Sequence, residues 1–401
     1  MVGLEERSVN FRAFFLQFLG EQICFAHYAY RMRWIASFCC MSLCAGLTVC
    51  AQSPLPAASP EKATWTFAVS GDSRNCGDLV VPAIAARVKA EGDAFYWHLG
   101  DLRAIYTQDE DFISMEPSDV AALSLAEYDE VAWDDFLLHQ MAPFGEFPVF
   151  LGRGNHEAIA PMTRDRFNAK FSAFLNRPEI VLQNRADNKT AFGAAAPPSS
   201  PWYHFVRSGV DFITLDNSTT DEFSDAQLTW LRALLLRDED PRSGITTIVA
   251  GMHEALPHST SSGHSMDDWY RGTQTGEVVY RWFADAHKAG KHVYLLASHS
   301  HFYSPDVYDT PFWKKEGIVL PGTIIGSAGA QRYLLPDTAS RESITNIYGY
   351  LKATVHANGT VQFSLEQISK DEMIAVKWPN APMSEIDFCF DQNRQLPKKV
   401  N

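Results

Sequence analysis

The chain has 401 residues, 46% of them hydrophobic and 20% charged, which suits a globular protein with room for one large α/β domain or two ordinary ones. Its formal net charge is -14, and no long basic run interrupts the acidic balance. A broad surface for duplex nucleic acid is thereby excluded, because it needs a Lys/Arg footprint; a small phosphorylated substrate held by metal in a pocket is not.

The first 50 residues differ from the rest. Cys24, Cys39, Cys40, Cys44 and Cys50 crowd there, leaving Cys76 and Cys389 for everything after. "MRWIASFCCMSLCAGLTVCAQS" starts with Met32-Arg33, runs through apolar and small residues, and ends in a pattern suited to cleavage after Ala51. It reads as a secretory signal over 32–51, followed by a Pro/Ala/Ser linker over 52–63. Residues 1–31 carry Glu5, Glu6 and Glu21, which do not suit a leader. They are either an extension upstream of a start at Met32 or the helix of a membrane anchor. Lipidation at Cys50 is a further alternative, opposed by the bulk of Val49. Export to a secreted or periplasmic location with the signal removed leaves no stable membrane span. It also places Cys76 and Cys389 in an oxidising compartment, either paired or as two free buried thiols.

From residue 64 short apolar runs alternate with helical periods. "TWTFAVS" (64–70), "AFYWHLG" (94–100), "FPVFLG" (147–152), "ITTIVAG" (245–251) and "HVYLLAS" (292–298) read as buried strands. "VVPAIAARVKAEG" (80–92), "DAQLTWLRALLLRDED" (225–240) and "GEVVYRWFADAHKAG" (276–290) read as helices, with Asp225 as an N-cap and Gly290 as a C-cap. Two hairpins are expected, turning at Ser208-Gly209 and at Asn358-Gly359. The pattern predicts a mixed sheet system with helices outside, in one α/β domain over 64–370, and a tail over 371–401 that wraps back if Cys389 is tied down. Residues 103–146, acidic and aromatic, and 157–201, rich in loops, look inserted.

Five strand ends carry the polar residues. They are "SGDSR" with Asp72, "LGDLR" with Asp101, "GRGNHE" with Asn155 and His156, "GMHE" with His253, and "SHSH" with His299 and His301. Singly each is an ordinary turn. Together they matter, because the carboxyl ends of strands in an open α/β sheet share one edge, where ligands bind. Two carboxylates, an amide oxygen and several imidazoles form a ligand set that suits Mn, Zn or Fe better than Ca or Mg.

In order, "GDSR", "GDLRA", "GNHE", "GMHE" and "SHSH" resemble the motif series of the calcineurin-like metallophosphoesterase superfamily, over about residues 66–330. The resemblance implies two mixed β-sheets packed as a sandwich flanked by helices, in four layers α/β/β/α. It also implies two divalent or trivalent metal ions. Asp101 would bridge them, Asn155, His253 and His299 would complete one site, and Asp72 and His301 would serve the other. His156 would sit beside the phosphate. The chain departs from the pattern at Arg74, where most members carry a His ligand, and at Ala104, where the purple acid phosphatase branch carries a Tyr. The Asp72 site is then one ligand short, or is completed by water or Tyr106. Arg74 either grips a substrate phosphate or folds back onto acids such as those in 108–116. His258 and His264 lie in the loop after His253; they contact a leaving group, His258 as a substrate-binding residue, or are ordinary surface histidines. His98 is read as an orienter of the Gly100-Asp101 turn.

The reading is an exported phosphoesterase, acting on a small phosphate ester or nucleotide by attack of metal-bound hydroxide, with His156 and Arg74 at the reacting phosphate. The acidic 103–146 stretch favours such a small substrate over a long polyanion. Two other readings stand beside it: a metal-binding protein of the same fold whose hydrolysis is weak or lost through Arg74, and a binding module that uses the sandwich alone.

Overall fold

Apolar runs rich in β-branched and aromatic residues form strands wherever the sequence places one, because such residues pack well on a pleated, buried surface. The computed structural model describes residues 64–397 apart from 116–122, 194–199, 219–220 and 262; the extension, signal and linker read over 1–63, with Cys50, lie outside those residues. The described strands are β1 (Trp65–Ser70), β2 (Tyr96–His98), β3 (Val149–Leu151), β4 (Tyr203–Arg207), β5 (Val210–Thr214), β6 (Thr247–Gly251), β7 (His292–Ala297), β8 (Tyr303–Pro305), β9 (Gly322–Ile325), β10 (Gly349–Val355) and β11 (Val361–Gln367). One sheet has the order β11-β10-β1-β2-β3 and the other β4-β5-β6-β7-β9-β8. Both are mixed. β1, β2 and β3 run parallel and β10 joins β1 antiparallel, while β5, β6, β7 and β9 run parallel between the antiparallel edge strands β4 and β8.

An aromatic layer joins the sheets face to face. Phe67 of β1 stands edge-on to Phe212 of β5 at 5.1 Å, and Phe150 of β3 stacks on Phe205 of β4 at 3.9 Å. Helix α1 (Gly77–Glu91) covers the outer face of the first sheet, burying Leu79, Val80, Ile84 and Val88. A separate apolar cluster lies outside the second sheet, where Trp230, Leu231 and Phe283 pack against Ile213, Ile248 and Leu295. The layers are therefore α/β/β/α.

Local chemistry sets the boundaries. Helix α2 (Leu125–Phe136) opens on a capping box of Ser124 with Glu127. Helix α3 (Asp225–Glu239) is capped by Ser224, whose Oγ accepts the Gln227 N–H at 3.3 Å; the expected cap, Asp225, sits instead in the first turn, where its charge meets the positive helix end. Helix α4 (Tyr270–Lys288) begins earlier than the expected 276, and Gly290 lies just past its end at φ 92°, donating to the His287 carbonyl. Ser208 and Gly209 take φ of 52° and 82°, the paired positive values that a two-residue turn needs to join β4 and β5.

The acidic stretch after residue 103 is only partly solvent-facing. Asp109, Asp111 and Asp135 are buried around Arg103, which is buried too. Arg103 donates to Asp78 at 2.6 Å and Asp111 at 3.2 Å, and it also pairs with Asp135. Part of the acidic charge of this stretch is thus neutralised inside, while Glu127, Glu130 and Glu146 stay exposed. The cluster anchors the loop that follows Asp101, since a buried cation is tolerable only with such partners.

The tail folds back as α5 (Lys370–Val376) and α6 (Met383–Asp391), and a disulfide joins Cys389 to Cys76, 313 positions away, at the head of α1. Arg332 reinforces the join by donating to the carbonyls of Cys389 at 3.0 Å and Phe390 at 2.9 Å. No helix among the described residues is long and apolar enough to cross a membrane.

Candidate metal centre

The loops leaving β1, β2, β3, β6 and β7 meet at one edge of the sandwich. Three of the residues they deliver, Asp72, Asp101 and His299, have left-handed backbones, with φ of 61°, 58° and 63°. Non-glycine residues enter that region at a cost, and such residues cluster at functional sites. Close approach of the loops requires Gly154: a Cβ there would lie 2.2 Å from Asp101 Oδ1 and 2.3 Å from its backbone nitrogen. Gly154→Ala is expected to lower stability by about 1–3 kcal/mol and to displace the Asp101 carboxylate. A melting curve and metal content of the purified variant check this, and unchanged values of both would show that the loop yields freely.

Ligand atoms of Asp72, Asp101, His253 and His299 all lie within 4.8 Å of one another. His253 Nε2 is 2.9 Å from Asn155 Oδ1, 3.0 Å from His299 Nδ1 and 3.2 Å from Asp101 Oδ1. Ligands bonded to one cation at about 2.0–2.2 Å stand roughly 3 Å apart, so this spacing is that of a coordination shell. Asp101 Oδ2 and Asp72 Oδ1 are buried without a hydrogen-bond partner, a costly arrangement that a cation would relieve. Without one, the imidazoles are driven apart in basicity. Burial lowers His253, but the Asp101 charge outweighs it and lifts the pKa to about 10, whereas burial and then the His253 charge pull His299 down to about 3. Asp101, Asn155, His253 and His299 fit a metal ion.

Neighbouring groups fix these side chains. His253 Nδ1 lies 3.1 Å from both the Leu99 carbonyl and Ser298 Oγ, which turns Nε2 into the pocket. Glu157 accepts the backbone N–H groups of Asp101, Leu102 and Gly154 at 2.9, 2.9 and 2.8 Å, tying the second and third loops together. His98 Nδ1 accepts the Gly100 N–H at 3.2 Å, at the turn it was read as orienting. His156 donates from Nδ1 to the Ala104 carbonyl and points Nε2 inward, 3.6 Å from Asp101 Oδ2.

The half of the site around Asp72 and His301 is built differently. His301 Nδ1 donates to the Gln331 carbonyl at 2.7 Å, so its Nε2 carries a lone pair, 3.2 Å from Asp72 Oδ1. Arg74 Nη2 sits 3.1 Å from that same Nε2 and 3.2 Å from Tyr333 Oη, with Arg74 Nε 3.8 Å from Asp101 Oδ2. A guanidinium thus faces the side chains that the resemblance assigns to a second metal ion. Among the described residues, no acid of 108–115 pairs with Arg74; Asn75 engages Asp109 and Glu110 instead. Nor does Tyr106 complete the Asp72 site: it is largely exposed and edge-on to His156 at 5.0 Å.

Two further placements differ from the sequence reading. His258, expected to bind substrate, is committed elsewhere: its Nε2 pairs with Glu277 at 2.9 Å and its ring stacks on Phe312 at 3.6 Å. The loop histidine at the centre is His264, 5.3 Å from His299 and 5.1 Å from Tyr333 between ring centroids. Tyr333 itself went unnoticed. It closes the "GTIIGSAGAQRY" loop and stacks on His301 at 3.9 Å; only its place at the end of that glycine-rich stretch hinted at a role.

A two-sheet sandwich that delivers Asp, Asp, Asn-His, His and His-x-His from successive loops to one edge is the arrangement that the sequence resemblance to the calcineurin-like metallophosphoesterases implies. Among solved structures the chain is similar to a purple acid phosphatase from yellow lupin (Lupinus luteus), at 13% identity and a TM-score of 0.49, covering 77% of this chain and 52% of that one. It is also similar to a dimetal phosphatase from Danio rerio, at 11% identity and a TM-score of 0.43, covering 75% and 98%. A putative 5'-nucleotidase from Staphylococcus aureus matches at 13% identity and a TM-score of 0.41, covering 79% and 58%. The chain thus spans about half the length of the lupin enzyme. No protein-family model matches the sequence, and no curated protein matches it.

Proposed function

We propose that this protein is an exported, metal-dependent phosphoesterase acting on small phosphate esters or nucleotides. The observation that carries the reading is the convergence of Asp101, Asn155, His253 and His299 on one point, with buried carboxylate oxygens lacking partners and His156 alongside. A bound cation would supply Lewis acidity toward a phosphoryl oxygen and a water of lowered pKa. The protein's own part is positioning and charge. Asp101 offers two oxygens at the centre, and neutral Asn155 adds a donor atom without adding charge. His156, held at Nδ1 by the Ala104 carbonyl, presents Nε2 where a proton can pass to a leaving oxygen. Arg74 presents a cation at the same pocket. The cystine supports export, since such bonds persist in oxidising compartments.

The test is turnover of aryl phosphate mono- and diesters by the chain from residue 52, with Mn²⁺ or Zn²⁺ supplied, beside His299→Ala. The wild type is expected to hydrolyse at least one ester, and the variant to lose more than about 100-fold of that rate. Absence of turnover with metal demonstrably bound would favour the metal-binding reading that Arg74 motivates, and equal rates in both proteins would sink the assignment of the centre.

A further inference from the structure

The geometry points to a mononuclear centre in which the Arg74 guanidinium takes the place of a second metal ion. This inference rests on the metal centre of the proposed function and not on its hydrolytic activity.

Asp72 Oδ1 and His301 Nε2 are both lone-pair atoms, 3.2 Å apart and buried. Two such atoms repel unless a cation or donor lies against them. Arg74 supplies the donor to His301: one Nη2 hydrogen meets His301 Nε2 at 3.1 Å, the other meets Tyr333 Oη at 3.2 Å, and Nε faces the carboxylate of Asp101 at 3.8 Å, while Asp72 Oδ1 keeps no hydrogen-bond partner among the described residues. The carboxylate that would bridge two ions therefore faces a protein-borne cation on that side. A guanidinium carries its charge at every accessible pH, so it cannot deprotonate to become a ligand. A divalent ion placed between Asp72 and His301 would lie against that fixed positive charge and lose the His301 lone pair to it.

The remaining ligands sort the same way. Asp72, Asp101, His253 and His299 bring their ligand atoms within 4.8 Å of one another in a set that leaves His301 out. Tyr333 holds the guanidinium in place from the far side, stacked at 3.9 Å on the His301 ring and accepting from Nη2. Arg74 is not wholly buried, its side chain keeping 17% exposure, so N–H groups remain on the pocket side to meet phosphate oxygens.

The experiment counts metal by elemental mass spectrometry in protein stripped with chelator, reloaded with excess Mn²⁺ or Zn²⁺ and freed of unbound ion. Wild type is expected to retain about one ion per chain, and Arg74→His about two, because the new imidazole removes the cation and adds a ligand. Arg74→Lys, which keeps a positive charge, is expected to stay at about one. Thermal melts of each variant establish that the fold survives; Arg74→Lys serves as the folded control if Arg74→His melts early. Two ions in the wild type, or one ion in a folded Arg74→His, would overturn the inference. Hydrolysis by a wild type with two ions would leave the phosphoesterase reading intact while removing the arginine's role.

Discussion

Replacing His156 with Ala is expected to lower kcat on an aryl phosphate by about 10²–10⁴-fold, the usual contribution of a positioned proton donor, while leaving bound metal unchanged. The separation follows from placement. His156 is outside the set of ligand atoms that converge, yet its Nε2 points at the same pocket, 3.6 Å from Asp101 Oδ2. Its Nδ1 proton is fixed on the Ala104 carbonyl, which sets the tautomer and leaves Nε2 free to exchange a proton with substrate. Steady-state kinetics on esters with good and poor leaving groups check the role. The loss should grow as the leaving oxygen becomes more basic, since protonation matters most there. A uniform loss in kcat accompanied by loss of metal would show that His156 serves the fold of the centre instead.

Cys389→Ser is expected to destabilise the protein by about 2–5 kcal/mol, the common result of removing a native cystine, with the longest closed loops at the upper end. The bond joins positions 313 apart, so without it the unfolded chain regains the freedom of nearly the whole domain. Helix α6 would also lose its tie to α1, although Arg332 and Tyr348 still donate to the Cys389 carbonyl, each at 3.0 Å. Denaturant titration of oxidised wild type, reduced wild type and variant gives the comparison. Coincident midpoints for oxidised and reduced protein would refute the claim. Because Cys76 follows Arg74 by two positions, the same variant is expected to weaken phosphate affinity through a looser Arg74 turn, read as a rise in KM.

How much of this was legible in the sequence depends on the distance over which each feature is decided. The strands ending in Asp72, Asp101, Asn155, His253 and His299 are local signals, apolar runs stopped by Gly-Asp or by His, and each falls where its run predicts. Both hairpins were equally local, written in Ser-Gly and Asn-Gly pairs. What escaped was set by side chains meeting across the chain. Arg74 and His301 are 227 positions apart, and Arg74 and Tyr333 are 259 apart; no period or spacing records which way a guanidinium turns. That Arg103 gathers Asp111 and Asp135 is equally silent in the sequence, because composition counts charges without showing which of them meet. His258 and His264 share an irregular loop with no periodicity to separate them, so the side facing the centre depends on contacts with Phe312 and Tyr333.

The left-handed backbones at Asp72, Asp101 and His299 bear on how the ion arrives. Two of those turns are held by backbone bonds, Asp72 N–H to the Gly100 carbonyl at 2.9 Å and Ser73 N–H to the Asp101 carbonyl at 2.9 Å, and the third by His299 N–H, which donates to Asp72 Oδ2 at 2.8 Å. In a zinc finger the ion must organise its own ligands, so metal uptake and folding are one event. Here two of the ligand-bearing turns are tied by the backbone itself. Metal exchange should therefore be a surface process with little heat-capacity change, and a chelated chain should refill without refolding.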